Sequence, residues 1–182
     1  MTMAVLEAAV MVVLRDGADG REVLLIRRKE RAGDPWSGQI ALPGGRADPA
    51  DLDRRATALR ETEEEVGIPP TALVGVPEFV GTHRPGNRLD LEVSTFVAHL
   101  RPGADSLVAA GPEVQSTLWV LFPGLTTVHE IVDLPGGRGR LGVDGYRRGE
   151  VFIWGLTYRI LSDLMARGFA TQPAGPGPAP PG

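Results

Sequence analysis

The sequence contains no cysteine among its 182 residues. This absence excludes disulfide bonds, thiolate metal sites and cysteine nucleophiles, so any catalysis has to use oxygen or nitrogen groups. A chain without cysteine is compatible with a reducing compartment, and we predict a cytoplasmic location on that basis.

An excess of positive charge is also missing. Lysine and arginine total 19 against 23 aspartate and glutamate residues, which gives a formal net charge of −4. Without a basic footprint we expect neither a nucleic acid polymer nor an anionic membrane surface as a partner. Small phosphorylated ligands remain open, because a few local arginines suffice to bind them.

Long apolar runs are scarce as well. The longest one near the start, Ala8 to Leu14, is too short to span a bilayer, and no basic segment precedes it. We therefore expect a buried strand in this run, and neither a secretion signal nor a membrane anchor.

The chain is long enough for one well-cored domain, which we predict over residues 1–170. Residues 171–182 contain only proline, glycine and alanine after Gln172, and we predict a disordered tail there. The hydrophobic pattern between these limits predicts strands at 7–15, 22–28, 39–42, 73–81, 89–100 and 117–122, and a final strand or hairpin arm at 145–153.

Two helices are predicted among these strands. The first covers residues 52–66, with Asp51 as its N-cap and Gly67 directly after its end. The second covers residues 154–167 and ends at Gly168. The order of these elements along the chain is strands, one helix, more strands and a final helix. This order predicts a mixed α/β fold in which a sheet is sandwiched by few helices.

Carboxylates on the first helix are the most informative feature. A glycine turn, Gly44-Gly45, precedes the helix, which carries Glu61, Glu64 and Glu65. At roughly 100° per residue, these three lie within an arc of roughly 100°, where they repel one another unless a cation or strong donors lie among them. Hard oxygen ligands suit a divalent metal, and a metal beside a glycine turn suits phosphate chemistry.

A solvated acidic helix face is the alternative interpretation of these glutamates. Three details favour a site instead: the preceding Gly-Gly turn, the apolar end of the helix, and Arg60, which lies one turn before Glu64 and can pair with it. Glu61 and Glu65 lie at the margin of the predicted buried face, whereas Glu63 points away from it.

The segment from Gly45 to Ile68 resembles the Nudix box, the signature of hydrolases that cleave nucleoside diphosphates linked to another moiety. The run RETEEEVGI at 60–68 fits the pattern, with Thr62 in an apolar slot. Asp51 replaces the first glutamate of the pattern, and eight residues rather than seven separate it from Arg60.

This variant spacing is similar to that of the coenzyme A pyrophosphatase branch of the family. The runs LPGGRADPAD at 42–51, TALRE at 57–61, LLIRR at 24–28 and IWGLT at 153–157 carry the similarity. Residues 32–38, AGDPWSG, differ from the motif that this branch has before its glycine turn.

The resemblance implies a Nudix-like α/β/α sandwich with a mixed sheet, a carboxylate-bearing helix and a C-terminal helix. It further implies Mg²⁺ or Mn²⁺ held by Glu61, Glu64, Glu65 and the Gly44 carbonyl, with Arg60 supporting the site. Water would then attack one phosphorus of a diphosphate and release two monophosphate products. Nudix relatives are often dimers, so a homodimer is a further expectation.

A general base or further metal ligand often comes from a later loop in such enzymes, and Glu113 is the leading candidate, with Glu92 and Glu130 as weaker ones. For substrate phosphates we favour Arg28 and Arg46 over Arg31, because they flank the glycine turn. Solvated surface charges are the alternative interpretation of these residues. Trp36 and Trp154 could stack on a base, but we favour a core role for them. The three histidines, His83, His99 and His129, are scattered without ligand spacing, and we interpret them as structural.

The leading hypothesis is therefore a metal-dependent pyrophosphohydrolase that acts on coenzyme A or a related nucleoside diphosphate derivative. A second hypothesis is the hydrolysis of ADP-ribose, a dinucleotide or an oxidised nucleoside triphosphate on the same scaffold. A third, from another functional class, is a Nudix-fold protein that senses a nucleotide without cleaving it. Retention of Arg60, Glu61, Glu64 and Glu65 argues against the third.

Overall fold

The structure is a computed structural model that describes residues 5–30, 37–86, 88–134 and 139–171. Ten strands and two α-helices lie in these ranges. The strands are β1 (Leu6–Gly17), β2 (Gly20–Arg28), β3 (Ile40–Ala41), β4 (Gly44–Arg46), β5 (Leu73–His83), β6 (Leu91–Leu100), β7 (Val114–Leu121), β8 (Thr126–Asp133), β9 (Arg140–Arg148) and β10 (Val151–Trp154). The helices are α1 (Arg54–Val66) and α2 (Gly155–Ala166).

Seven strands form the main sheet, with the order β3-β2-β1-β6-β5, while β4 also pairs with β1 and β7 with β2. Strands β1 and β6 run parallel, and the other pairs are antiparallel. A two-residue connection between Gly17 and Gly20 joins β1 to β2 in a hairpin. The predicted mixed sheet is confirmed.

Side chains of β1 alternate between the two faces of this sheet and supply two separate cores. Met11 and Val13 belong to the core under α1, whereas Val12 and Leu14 belong to the core under α2, and all four are fully buried. Each such side chain contributes about 1.5–3 kcal/mol through burial of apolar surface. Helices on opposite faces of one sheet confirm the predicted α/β/α sandwich.

Helix α1 begins two residues later than predicted. Asp53, not Asp51, is the N-cap, and its carboxylate accepts a hydrogen bond from the Ala56 N–H at 2.8 Å. The sequence offers two aspartates two positions apart, and Asp53 is the one that directly precedes the first helical residue, Arg54. Gly67 ends the helix in the left-handed conformation, as predicted.

A second sheet, with the order β10-β9-β8, lies beside α2. The predicted arm over 145–153 is in fact parts of two strands, β9 and β10, which pair with each other. Strand β8 was not predicted. The Tyr146 hydroxyl and the Ser162 hydroxyl form a 2.8 Å hydrogen bond, which ties this sheet to α2. Beyond Thr171 the predicted tail lies outside the described residues.

Candidate active site

The candidate site lies where β1 and β2 separate. One end of β1 pairs with β2 through Leu14 to Gly17, whereas Ala8 to Val10, near the other end, pair with β4 instead. The glycine turn, whose Gly44 and Gly45 are extended as the start of β4 rather than forming the predicted turn, occupies the resulting gap. The Met11 N–H donates to the Pro43 carbonyl at 2.8 Å. A cleft of about 360 Å³ opens at this gap, and the glycine turn, α1 and the start of α2 contribute to its walls.

Helix α1 presents its glutamates in different surroundings. Glu65 is 6 % exposed and lines the cleft, and Glu61 lines it with a side chain that is 16 % exposed. Glu63 is exposed to solvent, as predicted, and the Glu64 side chain is 58 % exposed. The buried face of the helix includes Thr62, whose hydroxyl donates to the Ala58 carbonyl at 2.6 Å and so fits the apolar slot.

The glycine turn contacts both buried carboxylates directly. The Gly44 N–H donates to Glu65 Oε2 at 2.9 Å. A Cβ atom on Gly45 would lie 2.5 Å from Glu61 Oε1, so only glycine permits this approach. Gly44 therefore contacts the Glu65 carboxylate through its N–H, and its carbonyl as a metal ligand stays a prediction.

Burial raises the pKa of Glu65 to about 7, and the negative charges of Glu61 and Glu113 act in the same direction. The Gly44 N–H and the charge of Arg28 oppose this shift only in part. Burial also raises the pKa of Glu61, together with Glu64 and Glu113, against the opposing effect of Arg60. The carboxylates of Glu61 and Glu65 therefore share one cleft in which the nearby arginines do not fully offset the cost of burying two negative charges.

Arg60 organises the other side of the cluster. Its guanidinium donates to Asp51 at 3.0 Å twice, to Glu61 at 2.9 Å, to Glu64 at 3.2 Å and to the Arg46 carbonyl at 3.1 Å. The predicted Arg60–Glu64 pair is present. These hydrogen bonds from Arg60, and one from the Asp48 N–H, lower the pKa of Asp51.

Asp51 thus holds Arg60 rather than capping the helix. Its side chain is 6 % exposed, and it also accepts a hydrogen bond from the Thr57 hydroxyl at 2.8 Å. The Asp51–Arg60 pair connects the segment before α1 to β4, because Arg60 also donates a hydrogen bond to the Arg46 carbonyl.

Glu113 reaches the cleft on a loop that is docked onto the C-terminal end of α1. The Ala109 and Gly111 N–H groups donate to the Val66 and Glu65 carbonyls at 3.0 and 2.9 Å. Carbonyls at a helix end lack partners within the helix, so the loop satisfies two of them. Gly111 lies so close that a Cβ atom there would meet the Glu64 carbonyl oxygen at 2.0 Å.

Lys29 fixes the same loop from the side of β2. Its ammonium donates to the Pro112 carbonyl at 2.6 Å, and its N–H donates to the Glu113 carbonyl at 3.1 Å. Sequence reasoning missed both Lys29 and Gly111. A glycine two positions before the candidate glutamate was the one available signal, while the Lys29 contact spans 83 positions of the chain and leaves no local pattern.

The remaining predicted residues divide between the cleft and other places. Arg28 and Arg46 line the cleft, and so does Trp154, which is half-buried. Glu92 and Glu130 lie elsewhere in ion pairs with Arg84 and Arg147. His83, His99 and His129 line neither described cavity. Arg31 and Trp36 are outside the described residues.

The far end of the cleft is aliphatic, which the sequence did not predict. Its walls there are formed by Pro85, Leu91, Val93, Leu156 and Ile160. The side chains of Leu91 and Val93 pack with Ala8 as a small cluster, and Leu156 packs against it from α2. The cleft therefore has a carboxylate end and an apolar end.

The carboxylate end fits a divalent metal ion by its donor chemistry. Glu61 and Glu65 offer hard oxygens, and their raised pKa values show that a nearby positive charge would stabilise their ionised forms. Within the described ranges no three carboxylate, histidine or cysteine side chains are already arranged around one point. Glu64 is exposed and pairs with Arg60, whose same nitrogen also donates to Glu61.

Comparison with known proteins identifies the family of this chain. The model of the NUDIX domain matches residues 5–133, which is well over half of the sequence. The chain belongs to the Nudix family of pyrophosphohydrolases. Enzymes of this family generally use divalent metal ions.

Curated Nudix relatives match much of the chain. The uncharacterized Nudix hydrolase NudL of Photorhabdus laumondii is 34% identical over 148 residues, which covers 79% of this chain and 76% of the relative. NudL of Citrobacter koseri is 31% identical over 181 residues, with 87% and 80% covered. The chloroplastic Nudix hydrolase 22 of Arabidopsis thaliana is 39% identical over 74 residues, but this chain spans only 24% of its length.

Solved Nudix structures share the fold. A MutT/nudix family protein from Enterococcus faecalis has a TM-score of 0.62 at 21% identity and covers 90% of this chain and 62% of its own. The NUDIX domain of Shewanella oneidensis NrtR, solved with ADP ribose, has a TM-score of 0.51 at 21% identity, with 63% and 71% covered. In the described part of this Nudix chain, neither helix has the length and apolar character needed to cross a bilayer.

Proposed function

We propose that this Nudix protein hydrolyses the diphosphate linkage of a nucleoside diphosphate derivative, with coenzyme A or a related coenzyme A compound as the leading candidate. Glu61, Glu65 and Glu113 in one cleft beside the glycine turn, with Arg28 and Arg46 on its wall, are the observation that carries this proposal. Negative groups and arginines together suit a diphosphate bound through a cation.

Glu61, Glu64 and Glu65 are the proposed ligands of Mg²⁺ or Mn²⁺, with the Gly44 carbonyl as a fourth. Such an ion would neutralise diphosphate oxygens and lower the pKa of a bound water. Arg60 holds Glu61 and Glu64 in place, and release of Glu64 from this pair would allow it to join Glu61 and Glu65.

Glu113 is the proposed general base. Its charge raises the pKa values of Glu61 and Glu65, which places it near both, and it is exposed enough to exchange a proton with water. The guanidinium groups of Arg28 and Arg46 would bind the phosphate oxygens and orient the phosphorus for attack.

The aliphatic end of the cleft supports a substrate with an apolar arm. Leu91, Val93 and Leu156 offer no hydrogen bonds through their side chains, so a sugar hydroxyl in contact with them would lose its hydration without compensation. A coenzyme A compound carries a long, partly aliphatic arm on its diphosphate and matches this wall better than a second ribose does.

ADP-ribose or a dinucleotide is the alternative substrate. The NrtR domain of Shewanella oneidensis, whose fold this chain shares, was solved with ADP ribose. At 21% identity, this similarity supports a shared fold but not a shared ligand. A sensor without turnover is the remaining alternative, and the retention of Arg60, Glu61, Glu64 and Glu65 in the sequence argues against it.

A substrate panel tests the proposal. Purified protein with Mg²⁺ or Mn²⁺ is given coenzyme A, ADP-ribose, NADH and oxidised dGTP in parallel, and products are separated by chromatography. We expect coenzyme A to have the highest kcat/KM and to give two monophosphate products. Faster cleavage of ADP-ribose would reassign the substrate, and tight nucleotide binding without cleavage of any compound would favour the sensor.

A further inference from the structure

A second cavity adjoins the catalytic cleft on the side of the three-stranded sheet. Its volume is about 220 Å³, and it shares Gln39, Ile40 and Trp154 with the cleft. These three shared residues place the two cavities side by side, with Trp154 lining both. We call this second cavity the side compartment.

Aromatic and apolar side chains form one wall of the side compartment. Val132 of β8 and Phe152 and Trp154 of β10 line it. The Phe152 ring packs directly on the backbone of Gly145, where a Cβ atom would lie 2.6 Å from the ring, and the Arg147 guanidinium lies 5.0 Å from its centroid. These contacts hold the ring in place before any ligand binds.

Polar groups of both kinds surround this wall. Arg27 and Gln39 supply hydrogen-bond donors, and Glu150 and Asp133 supply carboxylate acceptors. Asp133 also has a loose, exposed pair with Arg140 at 3.6 Å. Arg28 lines the catalytic cleft, whereas its neighbour Arg27 lines the side compartment.

We propose that the side compartment binds the nucleobase of the substrate and prefers a base with an exocyclic amine. A flat ring can stack on Phe152 or Trp154, and its edge needs both donors and acceptors. The amine would donate to Glu150 or Asp133, whereas a carbonyl at the same ring position would face these carboxylates unfavourably. This inference rests on the proposed nucleoside diphosphate substrate and adds where its base lies.

The opposite end of the cleft supports the same assignment. Leu91, Val93 and Leu156 there are aliphatic, so these three side chains offer neither a ring to stack on nor hydrogen-bond partners for a base edge. The diphosphate at the glycine turn would therefore join a base in the side compartment to an aliphatic arm in the cleft.

Binding of nucleoside monophosphates tests the base site without any turnover. Calorimetry in the presence of Mg²⁺ compares adenosine 5′-monophosphate, inosine 5′-monophosphate and ribose 5-phosphate. We expect the adenosine compound to bind more tightly than ribose 5-phosphate by about fivefold or more, the low end of what one stacked base contributes. The inosine compound should bind more weakly than the adenosine compound.

Two variants connect this preference to the compartment. Phe152→Leu should lower the affinity for adenosine 5′-monophosphate and leave ribose 5-phosphate unchanged. Glu150→Gln, at an exposed position that tolerates the change, should reduce the preference for adenosine over inosine. Asp144→Asn is the matched control, because Asp144 pairs with His129 on the other face of the three-stranded sheet.

Equal binding of adenosine 5′-monophosphate and ribose 5-phosphate would overturn the base site, and so would unchanged affinities in both variants. These results are distinguishable from failure of the proposed function. A base site with no hydrolysis of any diphosphate compound would preserve the inference and refute the proposed activity. Hydrolysis without any base preference would preserve the proposed activity and refute the base site.

Discussion

Glu63 and Glu65 are two positions apart on α1, yet they lie in opposite surroundings. Glu63 is exposed to water, and Glu65 is 6 % exposed in the cleft, with a pKa raised to about 7. Two positions rotate the side chain by about 200° around the helix axis, so one glutamate faces solvent and the other faces the sheet. Helix position, not the local density of acidic residues, separates an ordinary surface charge from a candidate metal ligand.

Retaining a buried carboxylate has an energetic cost that Glu63 does not share. Removing a charge from water is unfavourable unless a partner compensates it. The Glu65 carboxylate accepts one hydrogen bond, from the Gly44 N–H at 2.9 Å, and is further stabilised by the positive charge of Arg28. An uncharged side chain such as glutamine at this position would avoid the free-energy cost of burying a charge. Keeping glutamate there is understandable if a cation completes the site during function.

The largest expected effect comes from exchanging these glutamates one at a time. Glu65→Gln and Glu64→Gln should each lower kcat by about 10²-fold or more, because they remove a proposed metal ligand at the reacting phosphate. Glu63→Gln, the matched control on the same helix, should leave steady-state kinetics within about twofold of the unmodified protein. Normal turnover by the Glu65 variant, measured with the substrate that the panel identifies, would remove the metal assignment.

A smaller effect is expected from the loop that brings Glu113 to the buried side of α1. Gly111→Ala places a methyl group 2.0 Å from the Glu64 carbonyl oxygen, so the loop has to leave the helix end. We expect a loss of about 1–3 kcal/mol in the free energy of unfolding and a lower kcat from the displaced Glu113.

Gly86→Ala is the control for this substitution, because among the described residues no atom beyond its chain neighbours would lie within 4 Å of a Cβ there. Urea unfolding and steady-state kinetics on both variants separate the two positions. If the alanines at positions 111 and 86 behaved alike, the docking of the loop would not control the position of Glu113.

Asp51→Asn should have the smallest effect of the three on turnover. The variant keeps a hydrogen-bonding side chain beside Arg60 but loses the charge that holds it, so Glu61 and Glu64 become less well positioned. Changes to residues that orient metal ligands typically cost about 10- to 100-fold in metal affinity or activity. The Mg²⁺ concentration for half-maximal rate should rise, and Asp51→Glu should restore part of the loss. An unchanged Mg²⁺ requirement would contradict this role.

The sequence predicted those features that depend on short-range patterns. Short apolar runs located β1 and β2, and the helix ended at Gly67 as expected because glycine is favoured in the left-handed conformation. The helix spacing also distinguished Glu61 and Glu65, which line the cleft, from the exposed Glu63, whereas Glu64 is exposed and pairs with Arg60.

Features set by distant parts of the chain were not predictable in this way. Strand β8 alternates exposed and half-buried residues beside β9 and was missed because it lacks a fully buried face. Asp51 was misassigned as a cap, since its partner Arg60 is nine positions away and becomes visible only once the helix is folded. The Lys29 contact with the Glu113 loop likewise arises from packing between β2 and that loop.

The central claim is that Glu65 is a buried carboxylate that requires a cation. Its pKa is raised from 4.5 to about 7 in the folded chain, so the folded state binds more protons than the unfolded state between these values. Stability in EDTA should therefore fall as the pH rises from about 4.5 to about 7, by roughly 3 kcal/mol for this one group.

The most direct measurement is the melting temperature across this pH range, in EDTA and with Mn²⁺, for the unmodified protein and for Glu65→Gln. We expect the unmodified protein to lose stability toward pH 7 in EDTA and to recover it with Mn²⁺, since a ligand that binds only the folded state stabilises it. Glu65→Gln should show a flatter pH curve and a smaller response to Mn²⁺. Parallel pH curves and equal Mn²⁺ responses for the two proteins would contradict the claim.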